Sequence, residues 1–378
     1  MLAEETVRKT PEETLRDVKP LLDEAGVTRI ANITGMDRIG IPVYAAIRPD
    51  SKCLAVDSGK GVTKIQAKCS AAMEAIERWA HDEYLIECIQ SEGASVHKFP
   101  LISGAVFNSS YKHKWCEARY WNNEARTLVP YYHVMNYEKR LPLYETCWQS
   151  GTNGLAIHNT RDEAILHGLY EIIERDAITI WMARGCKYAK RIENSNIIDS
   201  TSRDLVAMCE GVGVEPYIYN ATSDIGIPVY ICIMVDRKAD IGMYKGYGCN
   251  LDCDIALQRS ICEAAQGRAV FLSGGRDDMR WSTYMNEINN NDNQKKIAEL
   301  DSESRTNMPH KNHTGLDLSD SDKISLIEER LTGCGCGHII VATLMEREQA
   351  TVVKVMSERL EGYWNRYLQL GKRATIPK

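Results

Sequence analysis

One polar signature recurs three times in this sequence. Ser70, Glu74, Glu77 and Arg78 are matched by His167, Glu171, Glu174 and Arg175, and more loosely by Arg259, Glu263, Gln266 and Arg268. On an α-helix, positions i, i+4, i+7 and i+8 fall on one face, so the first two segments each present a polar head, two carboxylates and a guanidinium together. In the third, arginine comes first, glutamine replaces the second carboxylate, and Arg268 leaves the face. A single copy reads as a solvated helix face. Three copies aimed at one cavity would gather Glu74, Glu77, Glu171, Glu174 and Glu263, an arrangement that like-charge repulsion forbids unless protons or cations neutralise it. Magnesium suits such a site, because it is a hard cation that takes carboxylate oxygens together with substrate phosphates, which Arg175 and Arg259 could grip directly. The chemistry implied is that of nucleotide and metal on a scaffold without a Walker loop, since no Gly-x-x-x-x-Gly-Lys-Ser/Thr occurs.

The elements that must position these residues are also partly repeated. Ile-Gly-Ile-Pro-Val-Tyr occurs at Ile39–Tyr44 and again at Ile225–Tyr230. Each copy leads into a strand-like run, a Gly-rich segment (Gly59-Lys60-Gly61; Gly246-Tyr247-Gly248) and a glutamate helix. This predicts an α/β (α+β) fold with a duplicated strand, Gly-turn, helix unit, and one domain over residues 1–378 with pseudo-repeat halves at about 27–150 and 151–378. Lys60, between glycines just before a helix, can lay an ammonium and backbone N–H groups against phosphate.

Thr160 with Glu163 reads as a capping box opening the helix of Glu171 and Glu174. Asn159 and Glu163 at its mouth either serve only the cap or reach a ribose or metal. Residues 11 to 24 read as a helix with Thr10 as N-cap and Pro20 kinking its end. Strands are expected over Val27–Ile33, Asp37–Tyr44 and Thr127–Val134, and a final helix and strands over Ser321–Leu331, Ile339–Met345 and Val352–Met356. Arg276 sits in a Gly-rich setting that also admits a salt bridge. Residues 283–320, rich in Asn, Asp, Ser and Lys, read as a polar surface excursion or lid of low intrinsic order.

With 378 residues, 44% apolar and 26% charged, the chain can bury a large core. A net charge of −6 argues against a nucleic-acid surface and is explained by the glutamate helices. The first residues carry no basic stretch followed by an apolar core, and no apolar run is long enough to cross a bilayer, so a cytoplasmic location without membrane partners is expected. The thirteen cysteines are scattered and are expected as thiols. Cys334 and Cys336, between glycines and next to His338, read as a turn leading into a strand, with a soft-metal or persulfide role as the alternative.

Ser58-Gly-Lys60-Gly, Ser70 to Arg78, Asn153-Gly-Leu-Ala, Asn159-Thr, Glu171 to Arg175, Arg259 to Arg268 and Ser-Gly-Gly-Arg276-Asp-Asp stand in an order that resembles the YcaO domain along nearly the whole chain. The resemblance implies an enzyme that uses ATP and Mg2+ to activate a peptide backbone amide. Glu74, Glu77, Glu171, Glu174 and Glu263 match the family's metal positions, with Glu77, Glu174, Arg175 and Arg259 the catalytic set. Arg8, Thr14, Lys60, Ser70, Asn159, Glu163, Gln266 and Arg276 match nucleotide-site positions, Thr14 and Arg8 lying toward the adenine end. Ala156 departs from members that carry serine there, and the single proline in Ala374-Thr-Ile-Pro-Lys378 departs from the Pro-rich tail of azoline-forming members. The opening segment is most similar to the group associated with TfuA proteins and methanogens, which implies thioamide formation on a glycine of methyl-coenzyme M reductase, with a TfuA-like partner for sulfur delivery and a homodimer left open. Azoline or amidine formation in a ribosomal peptide, or a non-catalytic peptide-binding module, are the alternatives.

Overall fold

The computed structural model describes every residue except 1–7, 85, 93–98, 100, 102–106, 109, 136–146, 149, 185–188, 239–241, 277, 279–280, 283–284, 286–289, 307–316, 363–369 and 376–378. Among the described residues the strands form three sheets. The first is antiparallel, β1 (Arg29–Asn32), β2 (Val43–Ile47) and β3 (Val56–Lys60) in that order, and is followed by the first glutamate helix, Lys64–Glu83. The second orders β11 (Tyr244–Cys249), β10 (Val229–Asp236), β9 (Val214–Asn220), β8 (Lys190–Ile192) and β12 (Arg305–Thr306), and β11 leads into the third glutamate helix, Cys253–Ser273.

The hexapeptide copies hold the same register in both sheets. Tyr44 lies opposite Asn32 and Gly59, and Tyr230 lies opposite Asn220 and Gly248. The turns before them also agree. Asn32 Oδ1 accepts from Thr34 N at 3.0 Å and Thr34 Oγ1 from Val43 N at 3.1 Å, while Asn220 Oδ1 accepts from Thr222 N at 3.0 Å and Thr222 Oγ1 from Val229 N at 3.1 Å. Gly40 and Gly226 take positive φ of 85° and 74°, a conformation that favours glycine.

A third unit is assembled from distant stretches. The remaining sheet runs β4 (Ile89–Glu92), β5 (Lys112–Tyr120), β13 (Ile339–Glu346), β14 (Thr351–Ser357), β7 (Leu155–His158), with β6 (Arg126–Pro130) pairing β5. Within it, β13, β14 and β7 are antiparallel in the order of β1, β2 and β3, and β7 leads into the second glutamate helix, Arg161–Arg184. Each glutamate helix packs on its own unit and leans on the next: the first on β7, the second on β11, the third on β3. This cyclic contact turns the three glutamate-bearing faces toward one centre.

Small residues make the contact close. A Cβ added to Gly59 would lie 1.9 Å from Ala71 N, and one on Gly248 would lie 2.0 Å from Ala256 O, so helix and sheet meet backbone to backbone. Arg268 joins two units at the rear. It is 1% exposed and donates to Asp37 and Asp236, each at 2.8 Å, which explains its departure from the glutamate face.

Several local expectations are corrected. The second strand begins at Val43, not Asp37, because Thr34–Met36 forms a 3-10 turn and Pro42 cannot donate to a ladder. Strand β6 ends at Pro130, and Tyr131–Val134 is a helical turn. The polar stretch 283–320 contains the helix Asn290–Asp301, which buries Ile297 and Leu300 in the core, and the strand Arg305–Thr306. These two apolar residues anchor it together with Asp301, which meets Arg237 at 2.9 Å. Part of that stretch lies outside the described residues. The first helix divides at Val18, with Pro20 in the first turn of Lys19–Glu24, and Asp320–Gly333 forms the expected late helix.

Candidate active site

A cleft of about 550 Å3 opens between the first two glutamate helices, with the third closing one side. Arg8, Thr14, Lys60, Ser70, Glu74, Glu77, Asn159, Glu163, His167 and Arg259 line it. Glu171, Glu174, Glu263 and Arg175 are not in its lining but act electrostatically on one another, and Glu171 on Glu77. Burial, then the charges of Glu74 and Glu171, hold Glu77 well above the usual carboxylate range. Burial also raises Glu171 against the pull of Arg175 and Lys354, and pushes Glu174 up to about 7. Glu263 differs: burial raises it, but Lys60, Arg175 and Arg259 together outweigh that, Lys60 Nζ donating to Glu263 Oε2 at 2.6 Å, and the carboxyl lies below its usual range. The guanidiniums are spread through the cluster, Arg78 bonding Glu74 at 3.1 Å and Arg175 standing 3.7 Å from both Glu171 and Glu174.

The mouth of the cleft is held by the N-terminal helix and the start of the second glutamate helix. Thr14 Oγ1 donates to Asn159 Oδ1 at 2.8 Å, both residues being buried. Glu163 completes the capping box by accepting from Thr160 N at 3.1 Å, and it also meets His158 Nδ1 at 2.8 Å and Arg8 Nε at 3.4 Å. The cap and a place in the cleft are thus compatible. Ser70 Oγ accepts from Lys60 N at 3.4 Å.

Six expected residues are not in the lining of the cleft: Glu171, Glu174, Glu263, Arg175, Gln266 and Arg276. Gln266 donates to Ser58 O at 2.7 Å, tying the third helix to β3, and Arg276 pairs with Asp278 at 2.7 Å on an exposed turn. Three others are added. His167 Nε2 lies 3.4 Å from Arg259 Nη2, and burial with that guanidinium holds the imidazole well below its usual pKa, so it is neutral and can accept. Asp57 meets Arg78 at 3.0 Å and is pushed up to about 7 by burial. Lys354, 1% exposed on β14, is felt by Glu171 and Glu77. It is the one charge in the buried run Thr351–Ser357, a pattern break that marks it in the sequence.

The arrangement fits a divalent cation and a polyphosphate. Three of the five carboxylates are driven toward protonation by burial, and Arg259 Nε is buried with no hydrogen-bond partner among the described residues. A hard cation would relieve the first and a phosphate oxygen the second.

Such a cleft on a mixed helix and sheet scaffold defines a nucleotide-dependent, metal-using enzyme class. The chain belongs to the YcaO family: residues 58–361 match the family described as YcaO cyclodehydratase, ATP- and Mg2+-binding. ATP and Mg2+ are therefore its cofactors. It is 33% identical over 286 residues to an uncharacterized protein of Methanothermobacter thermautotrophicus, covering 73% of this chain and 74% of that one. It is also 29% identical to a protein of Rhizobium leguminosarum bv. trifolii described as lying in the tfuA 3' region, covering 97% of this chain and 91% of that one. Among solved structures, YcaO from Methanopyrus kandleri bound with AMPPCP and Mg2+ matches with a TM-score of 0.73 at 24% identity, over 94% of this chain and 92% of that one. A heterocyclase in complex with substrate and cofactor matches with a TM-score of 0.78 at 19% identity, over 97% of this chain, which spans about half (54%) of the heterocyclase. Among the described residues, no helix is long and apolar enough to cross a membrane.

Proposed function

We propose that this protein activates a backbone amide of a peptide with ATP and converts a glycine amide to a thioamide, with the α subunit of methyl-coenzyme M reductase as substrate and a TfuA-like protein delivering sulfur. The observation that carries the amide-activating part is a cleft lined by Glu74, Glu77 and Arg259, whose buried Nε has no hydrogen-bond partner among the described residues, with Glu171, Glu174 and Glu263 electrostatically tied to the same group. Support for the thioamide comes from the relative in a tfuA region, which matches nearly the whole chain, and from the methanogen relative.

Glu74, Glu77, Glu171, Glu174 and Glu263 would hold magnesium. Arg175 and Arg259 would grip phosphate, Lys60 and Ser70 would lie along the phosphates, and Arg8, Thr14, Asn159 and Glu163 would hold the nucleoside end. When bound, ATP with Mg2+ supplies the phosphoryl group that turns the amide oxygen into a leaving group, and the metal charge that offsets the phosphates. The nucleophile is a sulfide equivalent: it adds to the amide carbon, the oxygen departs as phosphate, and C=S and ADP remain. Neutral His167 keeps Arg259 oriented without adding repulsion, and the closely packed helices fix the carboxylates, which is what a transfer governed by positioning requires.

The family's cyclodehydratase description favours a second reading, in which a Cys or Ser of the substrate is the nucleophile and an azoline forms. Mass spectrometry of the glycine-bearing peptide after incubation with protein, ATP, Mg2+ and sulfide separates them. Exchange of oxygen for sulfur supports thioamidation, whereas loss of water supports cyclodehydration. No ATP turnover with any peptide would leave a binding module.

A further inference from the structure

Arg78 stands between two carboxylates. Its Nε–H donates to Glu74 Oε1 at 3.1 Å, and Asp57 Oδ1 lies 3.0 Å from the same nitrogen. An arginine Nε carries one hydrogen, and here Glu74 receives it. Asp57 Oδ1 is thus left buried with no hydrogen-bond partner among the described residues. The Asp57 side chain, on β3, is 1% exposed, whereas Glu74 lines the cleft. The other oxygen of Asp57 is held. Arg48, itself 3% exposed, donates from Nε to Asp57 Oδ2 at 3.3 Å and from Nη2 to Ser51 Oγ at 3.1 Å, so the carboxylate beside Arg78 is fixed from its far side. A buried acceptor without a donor is costly to keep, and the N–H beside this one is the N–H that Glu74 holds.

We propose that Asp57 is a positioning residue for the metal site: when Glu74 turns to magnesium, the Arg78 Nε–H passes from Glu74 to Asp57. This rests on the assignment of Glu74 to magnesium. A carboxylate that keeps a guanidinium on one oxygen is a poorer ligand for a divalent ion, because the two cations repel each other. Asp57 removes that competition. It offers Arg78 a charge-assisted bond in a buried setting, which offsets the bond lost to Glu74 and satisfies the waiting Oδ1 in the same step. Without that acceptor, Arg78 stays with Glu74 and magnesium must compete for it.

The test uses the full chain with AMPPCP as the nucleotide and Mg2+ titrated by calorimetry, with melting recorded for each variant. Asp57→Asn keeps the shape and removes the charged acceptor, and it should be half-saturated only at about tenfold more Mg2+, as when a partner that orients a metal ligand is lost. Asp82 also meets Arg48, at 3.8 Å, so Asp82→Asn disturbs the same buried arginine and should titrate as wild type does. In an Arg78→Met background no N–H remains to pass, and Asp57→Asn should shift the titration no further. An unchanged half-saturating Mg2+ in Asp57→Asn, an equal shift in Asp82→Asn, or the full shift persisting with Arg78→Met overturns the proposal. A structure of the wild-type protein with Mg2+ and AMPPCP reads the step directly and decides the matter if Asp57→Asn does not fold. Arg78 Nε bonded to Asp57, with Glu74 on the ion, supports the proposal, and Arg78 still bonded to a Glu74 that holds the ion overturns it. Wild-type protein that binds no Mg2+ with AMPPCP, or binds it away from Glu74, would instead overturn the metal assignment on which it rests.

Discussion

Glu77 and Glu174 are carboxylates that burial drives toward neutrality, so each should matter more to metal than to folding. Glu77→Gln and Glu174→Gln should fold, because a neutral amide replaces a group already driven toward neutrality. Both should lose ATP turnover by about a hundredfold or more if each holds a metal that offsets transferring phosphate. Turnover near that of wild type in either would remove it from the metal set. Arg259→Lys should not be conservative, since the unpartnered Nε of a planar fork is what a phosphate oxygen would meet and an ammonium cannot reproduce it. Equal AMPPCP affinity in the two proteins would count against that role. Protons should compete with metal. Glu174, pushed up to about 7 by burial, carries a proton below that pH in the metal-free protein, so Mg2+ affinity should weaken as pH falls through about 7. A flat affinity through that range would mean that Glu174 does not contact the ion. The glutamates were legible in the sequence because helical spacing repeats them. His167 and Lys354 were harder to place, because what gives each its character is a neighbour from a distant segment, Arg259 for one and Glu77 with Glu171 for the other.

At the scale of elements, the repeated hexapeptide pointed to two units of like construction, and their strands pair in matching register. The middle unit could not be read as a repeat. Its helix follows β7 directly, but β13 and β14 arrive from the far end of the chain, so no linear pattern of strand, strand and helix exists to be found. The helix Asn290–Asp301 was missed for a different reason: its surface is polar, and only Ile297 and Leu300 reveal a buried side. Glycine in the strands was legible as a turn signal, but its role is closer contact. Gly248→Ala would drive a Cβ to within 2.0 Å of Ala256 O and 2.7 Å of Ser260 N, where backbone must move. Stability should fall by roughly 3 kcal/mol or more, at the upper end of overpacking costs. Chemical denaturation would measure this, and a loss below about 1 kcal/mol, within the range of tolerated core swaps, would show that helix and sheet can separate freely. Because the same helix carries Arg259 and Glu263, AMPPCP affinity should fall with it.

The whole molecule is held as a ring of three units, and the buried ion pairs of Arg268 lie where two of them meet. Arg268→Met would take from Asp37 and Asp236 the guanidinium buried between them, at a cost of about 3–5 kcal/mol, as for breaking one side of a buried pair. Melting would test it, and a shift indistinguishable from that of a surface substitution would show that Arg38 alone satisfies Asp236. The position of the cysteines bears on where sulfur enters. Cys336 is 1% exposed and burial pushes its thiol up to about 12, so no thiolate is available for transfer. Its carbonyl accepts from Ser357 Oγ at 2.9 Å, fastening the turn to β14, and Cys334 Sγ lies 3.2 Å from Asp224 O. Gly335 and Gly337 take positive φ of 71° and 94° as the chain turns from its late helix into β13, and neither cysteine lines the cleft. These are features of a folded turn. The double variant Cys334→Ser, Cys336→Ser should therefore form thioamide with supplied sulfide at the wild-type rate, after a stability loss of about 1–3 kcal/mol from burying hydroxyl in place of thiol. Melting measured beside product formation keeps the two effects apart. A double variant that melts as expected and hydrolyses ATP, yet forms no thioamide, would place the sulfur relay on this turn and overturn delivery from outside the chain.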